Sequence, residues 1–199
     1  MSSSSFKCLM CGKCCRTKYL CLYPHEVDKA TKLAQKKGIE LNLTPLKIRI
    51  DFKNKVILDI IYRATQRPCP FFVNNECTIH EERFIACRKY PFSNWTKSPE
   101  LFVKFLKFPE YFFEIDIKCT AMQQYYKEKN KLPDESFFKE EFTAFKKDME
   151  IYDKIEQRLK ELNESNVIEL RKENKFKSKN PEKYHEIINN WKHIKFDNY

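Results

Sequence analysis

Five of the chain's nine cysteines fall between residues 8 and 21, in the stretch CLMCGKCCRTKYLC. Thiols packed this densely are disulfides, metal ligands or redox groups. A disulfide framework usually has an even cysteine count and an oxidising compartment. Here the count is nine, and the opening MSSSSFKC is polar, without the apolar stretch of a secretory signal. The reading is therefore a cytosolic chain whose clustered thiols bind metal or carry out redox chemistry. Disulfide scaffolding is the lesser alternative.

The spacing sharpens this. Cys8-x2-Cys11-x2-Cys14 puts three thiols at intervals that a tight loop can wrap around one metal or cluster. Lys7, Lys13, Arg16 and Lys18 around them are expected to depress the thiol pKa values and favour thiolate. Gly12, one of two glycines, stands where the backbone must turn sharply between ligands. Side chains of neighbouring residues diverge, so Cys14 and Cys15 are expected to face different sites. Cys69, Cys77, Cys87 and Cys119 each lie in or beside a loop-like segment. With Cys8, Cys11, Cys14 and Cys15 they make eight candidate ligands, enough for two four-ligand sites, and Cys21 is left over. A single four-thiolate site is the alternative.

Residues 24–37 read as a helix, with Pro24 in the first turn and Gly38 at the end. Ile48, Ile50 and Phe52 alternate with polar residues, Lys53-Asn54-Lys55 can turn the chain, and Val56 to Ile61 follows, which predicts a hairpin. Residues 68–92, punctuated by Pro68, Pro70, Asn74-Asn75 and Pro91, read as loops and short helical turns. The aromatic-rich segment 101–119 has room for one or two strands. After Cys119 helical periodicity takes over. Phe138, Phe142, Phe145, Met149, Tyr152, Ile155, Leu159 and Leu162 recur every three or four residues. A second helix is predicted from Asn180-Pro181, with Tyr184, Ile187, Ile188, Trp191 and Ile194 on its apolar side. The long stripe reads first as packing against the N-terminal domain and second as a docking surface for a protein partner. The expected fold is α+β and mainly helical: a compact, loop-rich cysteine-cluster metal domain at 1–120, with a helical extension at 121–199.

Composition and charge bound the function. Hydrophobic residues make up 42% and aromatics 15%, enough for a core, yet the longest apolar runs are too short to cross a bilayer, so no membrane role is expected. The net charge is +10, and the first 120 residues carry 21 Lys and Arg against 12 Asp and Glu. That basic half invites a nucleic-acid reading. Four thiolates around a dication carry −2, however, so much of the positive charge can compensate the chain's own metal sites. Nucleic acid is possible but not favoured. With Gly12 and Gly38 alone there is no Gly-rich phosphate loop, and GxSxG, HExxH and the Cys-x3-Cys-x2-Cys radical-SAM arrangement are all absent. Catalysis by a Cys–His pair could be drawn only with His25, His80, His185 or His193, and the thiols are better explained as ligands.

The pattern Phe6-x-Cys8-x2-Cys11-Gly12-x-Cys14-Cys15, then Cys69-Pro70-Phe71-Phe72, Cys77-x-Ile79 and Cys87-Arg88-x-Tyr90-Pro91-Phe92, resembles the zinc- or iron-chelating CxxCxxCC family of YkgJ-type cysteine-cluster proteins. Cys119 resembles its final cysteine. The resemblance spans roughly residues 6–120 and implies a metal site, zinc or iron–sulfur, without naming an activity. A related cluster in flagellin lysine N-methylases looks like an iron–sulfur region. Two positions depart from the family. His80 stands where a tyrosine usually follows the isoleucine, and Phe84 replaces a proline. His80 reads first as filling the tyrosine's packing place and second as a ligand.

All-cysteine ligation and the nearby Phe71, Phe72, Phe84, Tyr90 and Phe92 tilt the reading to an iron–sulfur cluster of the four-iron type, with zinc as the alternative. Those aromatics also suit a plain core. Arg83 and Arg88 are candidates to tune such a cofactor or hold an anion, or simply to pair with thiolates and nearby acids. Three roles follow: an iron–sulfur protein serving redox or protein modification, a zinc-stapled binding module, or a metal carrier. The sequence does not settle whether the chain is an enzyme.

Overall fold

The computed structural model of the chain describes residues 5–93, 104–108, 111–116, 118–131, 137–171 and 181–195. In chain order these form α1 (Lys13–Thr17), β1 (Cys21–Leu22), α2 (Pro24–Lys36), β2 (Leu43–Asp51), β3 (Val56–Ala64), β4 (Phe72–Val73) and β5 (Glu76–Cys77). A short 3-10 turn (His80–Glu82), α3 (Ile85–Arg88), β6 (Phe92–Ser93), β7 (Lys104–Phe108) and β8 (Tyr111–Ile115) follow. The remainder is α4 (Thr120–Lys129), α5 (Lys139–Glu164), β9 (Leu170–Arg171), α6 (Pro181–Asn190) and β10 (Lys192–Lys195). The chain forms two compact units, Met1–Leu20 with Arg67–Glu150, and Cys21–Gln66 with Ile151–Tyr199.

The first unit is built on aromatic packing. Phe6, Phe92, Ile115, Cys119, Met122, Phe138, Phe142 and Phe145 form one buried cluster. The Phe92 ring centre lies 4.9 Å from that of Phe138 and 5.8 Å from those of Phe142 and Phe145. The Phe6 N–H donates to the carbonyl of Phe137 at 2.6 Å, fixing the segment that leads into the first cysteines. Each buried ring of this kind contributes about 1.5–3 kcal/mol through removal from water. Cys119 belongs to this core, so packing holds one candidate ligand in place. A three-stranded antiparallel sheet of order β6-β8-β7 completes the unit with the small β4-β5 hairpin.

The second unit holds a five-stranded sheet of order β1-β3-β2-β9, with β10 pairing parallel to the first half of β3. The predicted hairpin is present and longer than the sequence pattern indicated, since β2 and β3 run in antiparallel register from Leu43↔Ala64 to Asp51↔Val56. Its buried face supplies Ile48, Ile50 and Ile57, packed with Tyr184 and Ile187 of α6. The predicted helix at 24–37 is also present as α2, ending before Gly38, whose φ is +64°.

Two expectations are corrected. The fold is α+β but not mainly helical, because ten short and medium strands form three sheets among the described residues. Part of that strand content lies where only helix was expected. The last predicted helix stops at Asn190, and Ile194 lies on β10, paired with Leu58. Trp-Lys-His-Ile is a run of β-branched and aromatic residues with lysine, and an open backbone edge on β3 outweighs its fit to a helical stripe. Of the predicted stripe, Phe142, Phe145, Ile155 and Leu159 on α5 are buried and Met149, Tyr152 and Leu162 are half-buried. No helix among the described residues is long and apolar enough to cross a membrane.

Asp51 closes the hairpin. Its side chain, 1% exposed, accepts the N–H groups of Lys53 and Glu169 at 3.0 Å each and the Asn54 side-chain amide at 2.6 Å. Asp51→Ala leaves those donors without an acceptor and is expected to destabilise the protein by about 1–3 kcal/mol. Denaturant unfolding followed by circular dichroism measures it, and Asp51→Asn should recover part of the loss.

Candidate metal centre

The first unit contains a cavity of about 60 Å³ lined by Cys8, Cys11, Cys14, Cys15, Cys69, Cys77, Cys87 and Cys119. All eight candidate ligands therefore share one pocket. Cys21 does not line it and begins β1 in the second unit. None of the nine cysteines is in a disulfide. Phe6, Leu20, Phe71 and Ile79, each buried, supply apolar wall between the sulfurs.

Local backbone chemistry explains how the sulfurs arrive there. Gly12 takes φ +69°, and a Cβ on it would stand 2.1 Å from Cζ of Phe72. Only glycine allows both that left-handed turn and that close approach. Gly12 then caps α1, which carries Cys14 and Cys15. The N–H of Cys69 donates to the carbonyl of Cys15 at 2.8 Å, tying the second cysteine segment to the first. Cys77 is placed by the β4-β5 hairpin, whose two-residue loop has positive φ at both Asn74 (50°) and Asn75 (65°). Asparagine tolerates that conformation, and the double positive φ gives the twist a tight hairpin needs. Cys119 sits at the N-terminus of α4, where the first backbone N–H groups have no carbonyl partner within the helix.

Those N–H groups point at sulfur throughout the site. The Cys119 sulfur accepts from Met122 and Ala121, Cys8 from Met10, Cys69 from Phe71, and Cys77 from Ile79. Cys11 donates to the Thr120 hydroxyl at 3.3 Å. The main-chain N–H donors stabilise thiolate over thiol. They come from the main chain, so no residue type announces them in the sequence, and of Thr120 and Met10 the sequence reading made nothing.

Cys14 and Cys15 were expected to diverge, and both line the same cavity. Their sulfurs are 3.9 Å apart, in one turn of α1 open to the pocket. The Cys15 thiol hydrogen-bonds to both Cys14 and Cys77, which lowers Cys14 to about 7 and Cys77 to about 6 and pushes Cys15 itself upward. Burial raises four more: Cys69 and Cys119 to about 11, Cys87 well above the usual thiol range, and Cys8 upward despite the Met10 N–H and the Arg83 charge. The sulfurs also sort by proximity. Cys119 feels Cys8 and Cys11, while Cys87 feels Cys69, Cys14 and Cys77. Cys14 acts on Cys8 as well, so it stands between the two neighbourhoods.

Of the cations the sequence pointed to, Lys13 and Arg83 line the pocket and the others are engaged elsewhere or lie outside it. Arg16 lies over the Phe72 ring at 4.6 Å and donates to the Cys11 carbonyl and the Asn75 side chain, both at 2.9 Å. Lys18 pairs with Asp116 at 3.0 Å. Burial works to raise the Asp116 pKa, and the Lys18 contact, the Lys118 N–H and the Tyr90 hydroxyl together hold it below the usual carboxylate range. Arg83 lines the pocket, and its charge favours thiolate at Cys8, Cys77 and Cys87. Arg88 does not line the pocket, and its charge acts with that of Arg83 on buried Glu141. Of the aromatics, Phe71 and Tyr90 line the pocket, while Phe92 belongs to the core. Phe84 packs on Phe71 at 6.2 Å between ring centres.

Among the described residues, no three Cys, His, Asp or Glu side chains already stand as a closed set of ion ligands. The donor chemistry nevertheless fits a thiophilic metal: eight sulfurs on one cavity, main-chain donors aimed at them, and Arg83 beside them. The profile of a family described as "CxxCxxCC: Putative zinc- or iron-chelating domain" matches residues 7–120, more than half of the chain. The chain belongs to the CxxCxxCC family. No curated protein and no solved structure matches it. Membership places this pocket in a metal-chelating family, and the motif's cysteines are the ones that line the cavity.

Two outcomes follow for a CxxCxxCC site built this way. Gly12→Ala forces a Cβ into Phe72 and a left-handed φ on alanine, which costs about 1–2 kcal/mol in backbone strain alone. It should lower both thermal stability and metal content. Gly38→Ala, with open space around it, should leave metal content unchanged. Second, Cys8, Cys69, Cys87 and Cys119 have raised pKa values and hold protons at neutral pH, and metal must displace them. Affinity should therefore rise with pH between 6 and 9 and fall as pH drops, with proton release measurable by calorimetry in buffers of different ionisation enthalpy.

Proposed function

We propose that this protein holds an iron–sulfur cluster of the four-iron type in the eight-cysteine pocket and serves redox chemistry or protein modification as an accessory factor. The observation that carries the reading is the setting of the sulfurs: all-cysteine donors, apolar walls from Phe6, Leu20, Phe71 and Ile79, and main-chain N–H groups on Cys8, Cys69, Cys77 and Cys119. Clusters favour this combination, and N–H donors to the sulfurs together with solvent exclusion tune their potential. A cluster bound here would supply one-electron chemistry. Arg83 offsets the negative charge of the thiolates, and the walls keep water away.

A second reading, zinc, is supported by one distance. Two thiolates bound at about 2.3 Å to one tetrahedral ion stand about 3.8 Å apart, and the Cys14 and Cys15 sulfurs are 3.9 Å apart. Sulfurs bound to different irons of a cubane stand farther from each other.

Protein prepared strictly without oxygen separates the two. The cluster reading predicts a broad visible absorption that bleaches on reduction, with iron and sulfide in matching amounts. A colourless protein containing zinc and no sulfide contradicts it and establishes the second reading.

A further inference from the structure

We propose that His80 is a ligand to the metal that Cys77 helps to hold, a nitrogen donor in a pocket otherwise furnished with sulfur. The inference rests on the reading of this pocket as a metal centre, and it holds for iron or zinc alike.

His80 lines the cavity three residues after Cys77, at the start of the 3-10 turn, and lies close enough to act on the Cys77 charge. Its Nε2 is shut off from solvent and has no hydrogen-bond partner. Buried nitrogens are nearly always satisfied, and one that is not needs a reason. Its Nδ1 stands 3.3 Å from the carboxylate of Glu81. A carboxylate there accepts a hydrogen bond from Nδ1–H, which holds the ring proton on Nδ1 and leaves the Nε2 lone pair open. That arrangement recurs in metal-binding histidines, which donate one ring N–H to an oxygen and use the other nitrogen as ligand. Arg83 adds to this by donating its Nε–H to the His80 carbonyl at 2.9 Å, which fixes the turn.

Charge favours the same assignment. Four thiolates around a dication leave −2 in a buried pocket whose lining cations are Lys13 and Arg83. A neutral imidazole in place of one thiolate leaves −1, and buried charge is costly. A histidine used only for packing would gain nothing from an open Nε2.

The test is cadmium-113 NMR of the full chain with nitrogen-15-labelled histidine. Cadmium takes thiolate and imidazole, and its scalar couplings report the ligand atoms directly. A variant carrying His25→Gln, His185→Gln and His193→Gln leaves His80 as the one labelled residue. The expected result is a cadmium-to-Nε2 coupling in this variant. In otherwise wild-type protein, His80→Gln should abolish that coupling and weaken cadmium binding by roughly tenfold or more. Cadmium bound with sulfur-to-metal charge-transfer absorption but no nitrogen coupling overturns the His80 assignment and leaves the metal centre standing. Absence of any thiolate-bound cadmium overturns both, and the missing charge-transfer band tells the two failures apart.

Discussion

Eight sulfurs crowded onto one largely apolar cavity dominate the first unit. Left as thiols they are weak hydrogen-bonding groups, and left as thiolates they are buried anions with Arg83 and Lys13 as the cations lining the same cavity. The protein's answer is graded. Main-chain N–H groups meet several of the sulfurs, and the Cys15 proton is shared toward Cys14 and Cys77, while burial keeps Cys69, Cys87 and Cys119 protonated. A bound cation would replace those protons and offset part of the thiolate charge in one step. Metal binding and the electrostatics of the unit are in this sense one problem, because an empty thiolate cluster is unstable for the reason that a filled one is stable.

That dependence reaches into the packing. Cys119 is a member of the aromatic core and the first residue before α4, so the position of a candidate ligand and the packing of Phe92, Phe138 and Phe142 are set together. Phe72 stands so close to Gly12 that no Cβ fits there, and Arg16 covers its ring. The loop carrying Cys8 and Cys11 is therefore shaped by contacts from the segment that brings Cys69 and Cys77.

How much of this could be read from the sequence divides along physical lines. Features written in residue type and short spacing were legible: the cysteine set, the turn at Gly12, the helix from Pro24 and the hairpin through Lys53-Asn54-Lys55. Features that depend on the main chain or on distant partners were not. The N–H donors to sulfur carry no side-chain signature. Cys14 and Cys15 converge on one cavity because a single helical turn opening onto a concave wall brings neighbours together. Arg16 and Lys18 are near the thiols in sequence, but Phe72 and Asp116 claim them, which leaves Lys13 and the expected Arg83 on the cavity wall. The final strand was missed because an unpaired edge of β3 decides between helix and strand for Lys192–Lys195, and no local pattern records that edge. His80 was noticed as a departure from the family's tyrosine, while its open Nε2 became visible only in three dimensions.

The central claim is that the pocket's sulfurs, rather than surface carboxylates or histidines, are what a metal finds in this protein. X-ray absorption at the metal edge of the purified, metal-loaded chain tests it most directly. The account predicts a first shell dominated by sulfur at about 2.3 Å, lost when Cys69 and Cys77 are replaced by serine. A first shell made mainly of oxygen and nitrogen, or one unchanged by those substitutions, would contradict it.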